Sequence, residues 1–283
     1  NNDRLLLWMA SSFYLLAFAI GTFQIARQNR QQPIVFYVIM TLGFLAHSYG
    51  LYLRGIEQHK FPLNNQFEIL LVIGWVLVML EFALRPISRL PLLGYFTCGL
   101  VSVIGMLALA VPSWNTPVVP AGIPTNPWVG FHAILAVFSY GIFGMLSITA
   151  LMYLIQHYGI QARLKGRIFK KMPAVKQLDD INKRLLLMGV TILTVAILIG
   201  FANWVQVPGG IGLMKLLTAL LVWVLYLLVY KLRSHQVLIA SQFAWACLFL
   251  FVLALISLWP LEVKHQRSDA KQADIYTKPS GGL

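Results

Sequence analysis

Apolar residues in this chain come in blocks of about twenty, the length that carries a helix across a hydrocarbon core, and short polar stretches separate them. The blocks predict spans at Leu5–Ala26, Pro33–Leu53, Phe67–Leu84, Leu90–Val111, Trp128–Gln156, Leu185–Val207, Ile211–Tyr230 and Val237–Trp259. Eight such helices make an all-α integral membrane bundle, and residues 1–260 read as one polytopic domain. Residues 261–283 mix charges and end Lys-Pro-Ser-Gly-Gly-Leu, a composition that cannot bury a core, so a mobile C-terminal tail is expected. The first span has no basic leader and no small-residue cleavage site before Arg27, and is read as a true helix rather than a secretion signal.

Composition agrees with the pattern. Of 283 residues 59% are hydrophobic and 11% charged, with a mean hydropathy of +0.74, too little polar surface for an ordinary soluble domain. The net charge of +13 invites a nucleic-acid reading, but its distribution argues against one. Arg27 and Arg30, Arg85 and Arg89, the segment from Arg163 to Arg184, and Lys231 with Arg233 fall in alternate loops. The positive-inside bias makes that side cytoplasmic and puts both termini outside. The longest such connection, His157 to Arg184, reads as an orientation anchor lying on anionic lipid, with a docking surface for a cytoplasmic partner as the alternative.

The opposite loops carry aromatic residues instead of charge. Trp8, Trp114, Trp128, Trp204 and Trp259 fall at outer ends, where an interfacial belt would put them; contact with a flat aromatic ligand is the sharper alternative. Cys98 and Cys247 sit singly inside spans with no Cys-x-x-Cys, so they read as packing residues. No glycine-rich phosphate loop, His-Glu-x-x-His or Ser/His/Asp arrangement is present, which removes the residues for hydrolysis or nucleotide-driven transport.

Two histidines inside spans need a reason to be there. His47 lies about two turns from the outer end of the second span, and His132 one turn from the outer end of the fifth, so their depths differ by only about 5 Å. They could flank one ligand. Neutral imidazole suits iron, copper and zinc, and paired histidines on facing helices hold haem iron in membrane bundles. No carboxylate or thiolate shares that depth, which weighs against zinc. Haem propionates would need cations near the outer surface, and Arg54, Lys60 and Lys215 are available. The plain alternative is that each imidazole only hydrogen-bonds a neighbouring helix. His59, His157 and His235 lie in loops or at span ends, and His265 in the tail.

Other polar residues have structural readings. Asn65 and Glu68 have the spacing of a capping box. Glu81 and Arg85, four apart, read as an ion pair. Asp179 and Asp180 precede the sixth span, where acids favour a helix N-terminus.

Taken in order, His47-x6-Arg54, Phe61-Pro-Leu-Asn-Asn-x-x-Glu68, Trp128-x3-His132-x6-Ser139-Tyr140, Leu178-Asp179-x4-Arg184 and Gly200-Phe-Ala-Asn-Trp204 resemble the cytochrome c assembly protein family, in its CcsA and HemX-like branches. The similarity runs from about Gly43 to about Arg233. The resemblance implies a polytopic bacterial inner-membrane protein that binds or handles haem, of b type here, on its outer face. His47 then matches the family's first intramembrane histidine and His132 its first outer-facing one. Two departures accompany it. Val205-Gln-Val-Pro-Gly-Gly-Ile-Gly212 stands in place of a tryptophan-rich acidic segment, and no second histidine occurs near Leu228 or before the last span. A complete cytochrome c synthase is therefore not expected, and the likeness moves toward HemX-like accessory factors of haem metabolism or cytochrome assembly.

The leading expectation is a haem-binding or haem-handling accessory membrane protein, with the lipid bilayer, haem and other cytochrome c assembly or haem-synthesis proteins as partners. One alternative is a b-haem or quinone-binding electron-transfer subunit using the same two histidines. A second is a ligand-free scaffold whose basic stretch Ile160–Lys176 binds a tetrapyrrole-synthesis enzyme. A transporter is disfavoured by the lack of an inverted pair of Gly/Pro-broken spans.

Overall fold

The computed structural model describes residues 2–26, 33–59, 61–88, 90, 92–115, 127–164, 166–206 and 213–258. Their regular structure is helical throughout, with no strand among the described residues: α1 (Asn2–Ala26), α2 (Pro33–Gln58), α3 (Gln66–Ser88), α4 (Leu93–Ala110), α5 (Pro127–Gln161), α6 (Arg167–Lys171), α7 (Val175–Gln206), α8 (Leu213–Ser234) and α9 (Ala240–Ser257). A single 3-10 turn, Pro112–Trp114, follows α4. Eight of these helices, all but α6, are long and apolar enough to cross a membrane. The tail beyond residue 258 and the loop 207–212 lie outside the described residues.

Each predicted span contains a helix, but several helices overrun the apolar block that predicts them. The span Pro33–Leu53 becomes a helix ending at Gln58, and Leu185–Val207 becomes one that starts ten residues earlier, at Val175. Both extensions carry charged residues that are paired inside the fold, Arg54 with Asp3 and Glu68, and Asp179 with Arg233. Pairing removes the desolvation cost at which a reading by apolar runs stops. The connection between the fifth and sixth spans shrinks accordingly. Gly159 lies against the Phe169 ring, and the Gln156 side-chain amide donates to the Phe169 carbonyl, which folds α6 back on α5. Arg163, Lys170 and Lys176 stay exposed there, while the side chains of Lys165 and Arg167 lie outside the described residues.

Two groups of helices build the bundle. In the first, α1 packs on α2 and α4, and α3 on α4; in the second, α5 packs on α7 and α9, and α8 bridges α7 and α9. Contact between α3 and α5 joins them: Val76 meets Gly141, and Leu77 meets Gly144. Small residues set these distances, because without a hydrophobic drive between helices in lipid, close approach supplies the packing energy. An added Cβ at Gly141 would lie 2.3 Å from Val76 Cγ1, and one at Gly189 would lie 2.4 Å from Phe143 Cε1. The side chains facing outward are apolar, among them Phe249, Leu198 and Ile256, as lipid contact requires. Cys98 and Cys247 are buried free thiols.

Candidate functional site

Polar residues concentrate at the bundle end that carries Asp3. Arg54, on the last turn and a half of α2, points into the space between α1, α3 and the turn after α4. Its Nε donates to Glu68 Oε1 (2.6 Å), its Nη1 to Asp3 Oδ2 (2.9 Å), and its Nη2 to Asn115 Oδ1. The guanidinium also lies over the Phe67 ring, 4.8 Å from its centroid. Asn65 caps α3 as expected, accepting the Glu68 backbone N–H at 2.9 Å. Glu68 has partners beyond the cap: its Oε2 takes the backbone N–H of Asn64 (2.8 Å), and Oε1 takes Gln58 and Arg54. Arg54 is therefore engaged with protein acceptors on three nitrogens, inside a cluster of one cation and two carboxylates. Lys60 lies outside the described residues, as does the side chain of Lys215, which belongs to the first turn of α8.

His47 is buried in the first helix group, 3% exposed. Its Nδ1 is 3.4 Å from the hydroxyl of Tyr14 on α1, with the two rings edge to face and their centroids 6.0 Å apart. Gly74 of α3 leaves room beside Cε1, where an added Cβ would come to 3.7 Å. The Leu71 carbonyl comes close enough to the ring for a weak hydrogen bond, while Nε2 has no partner of normal hydrogen-bond geometry among the described residues. A buried imidazole nitrogen left in this way is either an unmet cost or a ligating position.

His132 belongs to the second group. It sits one turn into α5 and turns toward α7, where its Nδ1 meets the Ala196 carbonyl oxygen at 2.6 Å. A carbonyl only accepts, so Nδ1 carries the proton and the ring's lone pair is on Nε2. Gly200 makes the approach possible: an added Cβ would stand 2.7 Å from Cε1 and 2.8 Å from Nδ1. Trp128, Phe131 and Phe201 are exposed at the same end of α5 and α7. Trp8 is also exposed, while Trp259 and the side chain of Trp204 lie outside the described residues.

His47 touches α1 and α3 and His132 touches α7, with no neighbour in common among the contacts described. Because α2 continues to Gln58, His47 stands eleven residues from its helix end, and His132 stands five from the start of α5.

The expected Glu81–Arg85 pair does not form. Glu81 turns inward, 1% exposed, and accepts the Tyr37 hydroxyl at 3.4 Å, whereas Arg85 lies over the face of the Tyr37 ring, 3.1 Å from its centroid. Tyr37 thus separates the two charges. At this opposite end Asp179 is embedded within α7 rather than preceding it, and accepts Arg233 Nη2 at 2.7 and 2.8 Å and Lys183 at 2.7 Å. Sequence patterning missed Tyr14, Asp3 and Asn115, of which Tyr14 carried a signal, a polar head in mid-span; Gly200 stood in the Gly200–Trp204 motif, but without the role of making room for His132.

Comparison with known proteins identifies the family. The family model described as Cytochrome C assembly protein matches residues 4–263. Protein HemX of Brevibacillus brevis is 30% identical over 186 residues, 65% of this chain and 66% of that protein. Protein HemX of Bacillus subtilis is 22% identical over 238 residues, 81% and 83% of the two chains. Cytochrome c biogenesis protein CcsA of Thermosynechococcus vestitus is 31% identical over 117 residues, 40% and 36% of the two. The matched part of this chain thus spans just under two thirds of the Brevibacillus protein. Eight apolar helices, a family match over nearly the whole chain and relatives named HemX and CcsA agree: the chain belongs to the cytochrome c assembly protein family.

Proposed function

We propose that this protein is a haem-handling accessory factor of cytochrome c biogenesis or haem metabolism, working in a bacterial inner membrane with both termini on the outer side. The observation that carries the reading is the state of His132. Its Nδ1 proton is committed to the Ala196 carbonyl and Gly200 clears space for the ring, so Nε2 holds the lone pair a metal requires. Metal-ligating histidines are oriented in this manner by a hydrogen bond from the other ring nitrogen. His47 supplies a second imidazole with an orphaned Nε2, within the bundle. Haem, when bound, supplies an iron that accepts imidazole nitrogen and a macrocycle that suits apolar, aromatic surroundings.

The chain's own residues divide the work. Trp128, Phe131 and Phe201 offer flat apolar surface beside His132. Lys215 is the cation assigned to the propionates. Arg54 holds three segments of chain together instead, its donors being taken by Asp3, Glu68 and Asn115. His47 and His132 are the two imidazoles that would hold haem iron, as paired histidines on separate helices of a membrane bundle.

The test is the visible spectrum of protein purified after expression with ample haem, for wild type, His132→Ala and His47→Ala. A Soret band that His132→Ala removes or shifts is the expected result. Colourless wild-type protein, or a spectrum indifferent to both substitutions, refutes the reading.

A further inference from the structure

Tyr14 is almost wholly enclosed, 1% exposed, and its hydroxyl meets the buried His47 ring. A phenol hydroxyl can both give and take a hydrogen bond, so the contact has two forms. In one, the Tyr14 O–H donates to Nδ1 and the ring's proton is on Nε2. In the other, Nδ1–H donates to Tyr14 Oη, the lone pair is on Nε2, and the phenol proton has no acceptor. The first leaves the Nε2 proton and an oxygen lone pair of Tyr14 unused; the second leaves the phenol proton and the Nε2 lone pair, so the two are equal in number. The Leu71 carbonyl beside the ring breaks the tie, because it can only accept a proton, and the empty protein favours the first form. Only the second can ligate a metal.

We propose that Tyr14 is a positioning residue that governs which nitrogen of His47 is open to a ligand. At rest it donates to Nδ1 and keeps the proton on Nε2. When a metal takes Nε2, the ring's one proton resides on Nδ1 and Tyr14 turns an oxygen lone pair toward it. The hydroxyl keeps its own proton, and no net charge enters the bundle. This assignment rests on the reading that His47 contacts haem.

The position is held from behind. Gly43 of α2 lies against the phenol, where an added Cβ would come within 3.0 Å of Tyr14 Cε1 and 3.1 Å of Phe13 Cβ. A methyl at position 43 would press on the phenol by a few tenths of an ångström and weaken a contact that is already 3.4 Å long, while leaving the hydroxyl in the protein.

The experiment has an apo arm and a haem arm on the full chain. In the apo protein, nitrogen NMR of selectively labelled histidine reports the tautomer of His47, identified by its loss in His47→Ala. Wild type should show one tautomer with the proton on Nε2. Tyr14→Phe, and independently Gly43→Ala, should give a mixture. In the haem-loaded protein, Tyr14→Phe removes the acceptor of the Nδ1 proton from the bound state and should raise the midpoint potential of the His47-dependent haem. An unchanged apo tautomer in Tyr14→Phe together with an unchanged potential overturns the assignment. If His47→Ala leaves haem content and spectrum intact, the haem contact at His47 fails instead, and the apo arm still decides the role of Tyr14.

Discussion

Replacing Arg54 with Met separates a structural role for this residue from a role as a free cation. The guanidinium and its two carboxylates are no more than 10% exposed, and Glu68 is fully enclosed. Removing the cation takes from both acids a shared counter-ion in a site with little water, Asp3 keeping the Arg4 backbone N–H, and breaking a buried pair from one side costs about 3–5 kcal/mol. Glu68 retains donors from Asn64 and Gln58, which places the expected loss near the lower end, about 3 kcal/mol. Reversible unfolding in mixed detergent micelles, followed by tryptophan fluorescence, measures it. Glu68→Gln alone should cost about 2 kcal/mol, and the double variant should fall short of the sum by about 1 kcal/mol or more, since the second change removes a charge the first had orphaned. If Arg54→Met unfolds within about 0.5 kcal/mol of wild type, the size of an ordinary surface change, then the cluster does not fasten α1, α2 and α3 and the reasoning fails.

Gly200→Val should overpack the α5–α7 contact and force His132 off the Ala196 carbonyl, at a cost of about 1–3 kcal/mol, visible as a lowered melting temperature and a changed His132 nitrogen resonance. Arg233→Ala should cost about 1–2 kcal/mol, because Asp179 is partly buried and keeps Lys183; added Asp179→Asn should return part of that loss in the same unfolding assay.

The helices were legible because lipid demands unbroken apolar runs, so their number and order follow from hydropathy alone. The ends were not, since they depend on distant partners. Arg54 reads as a loop-edge cation until Asp3, 51 residues away, is brought beside it. Glu81 and Arg85 have ideal spacing for a pair, and fail to form one because Tyr37 of α2 occupies the space between them. In the candidate site, both histidines stood out by type and depth. Their surroundings did not, because the Ala196 carbonyl and the Tyr14 hydroxyl belong to other helices, and a backbone acceptor leaves no trace in residue identity.

The two imidazoles differ in the one feature that decides what a neutral histidine can do. At His132 the partner of Nδ1 is a carbonyl, which cannot donate, so the proton stays on Nδ1 whether or not a ligand is near. At His47 the partner is a hydroxyl, which can reverse, so the lone pair on Nε2 is conditional. A haem contact at His132 then needs no rearrangement of the ring, whereas one at His47 must first reverse a buried hydrogen bond. Equal residues on equal scaffolds should therefore load unequally, with His132 taking haem at lower concentration. Stepwise titration of the apo protein, comparing His47→Ala with His132→Ala, would show the order, and prior loading of His47 would contradict it.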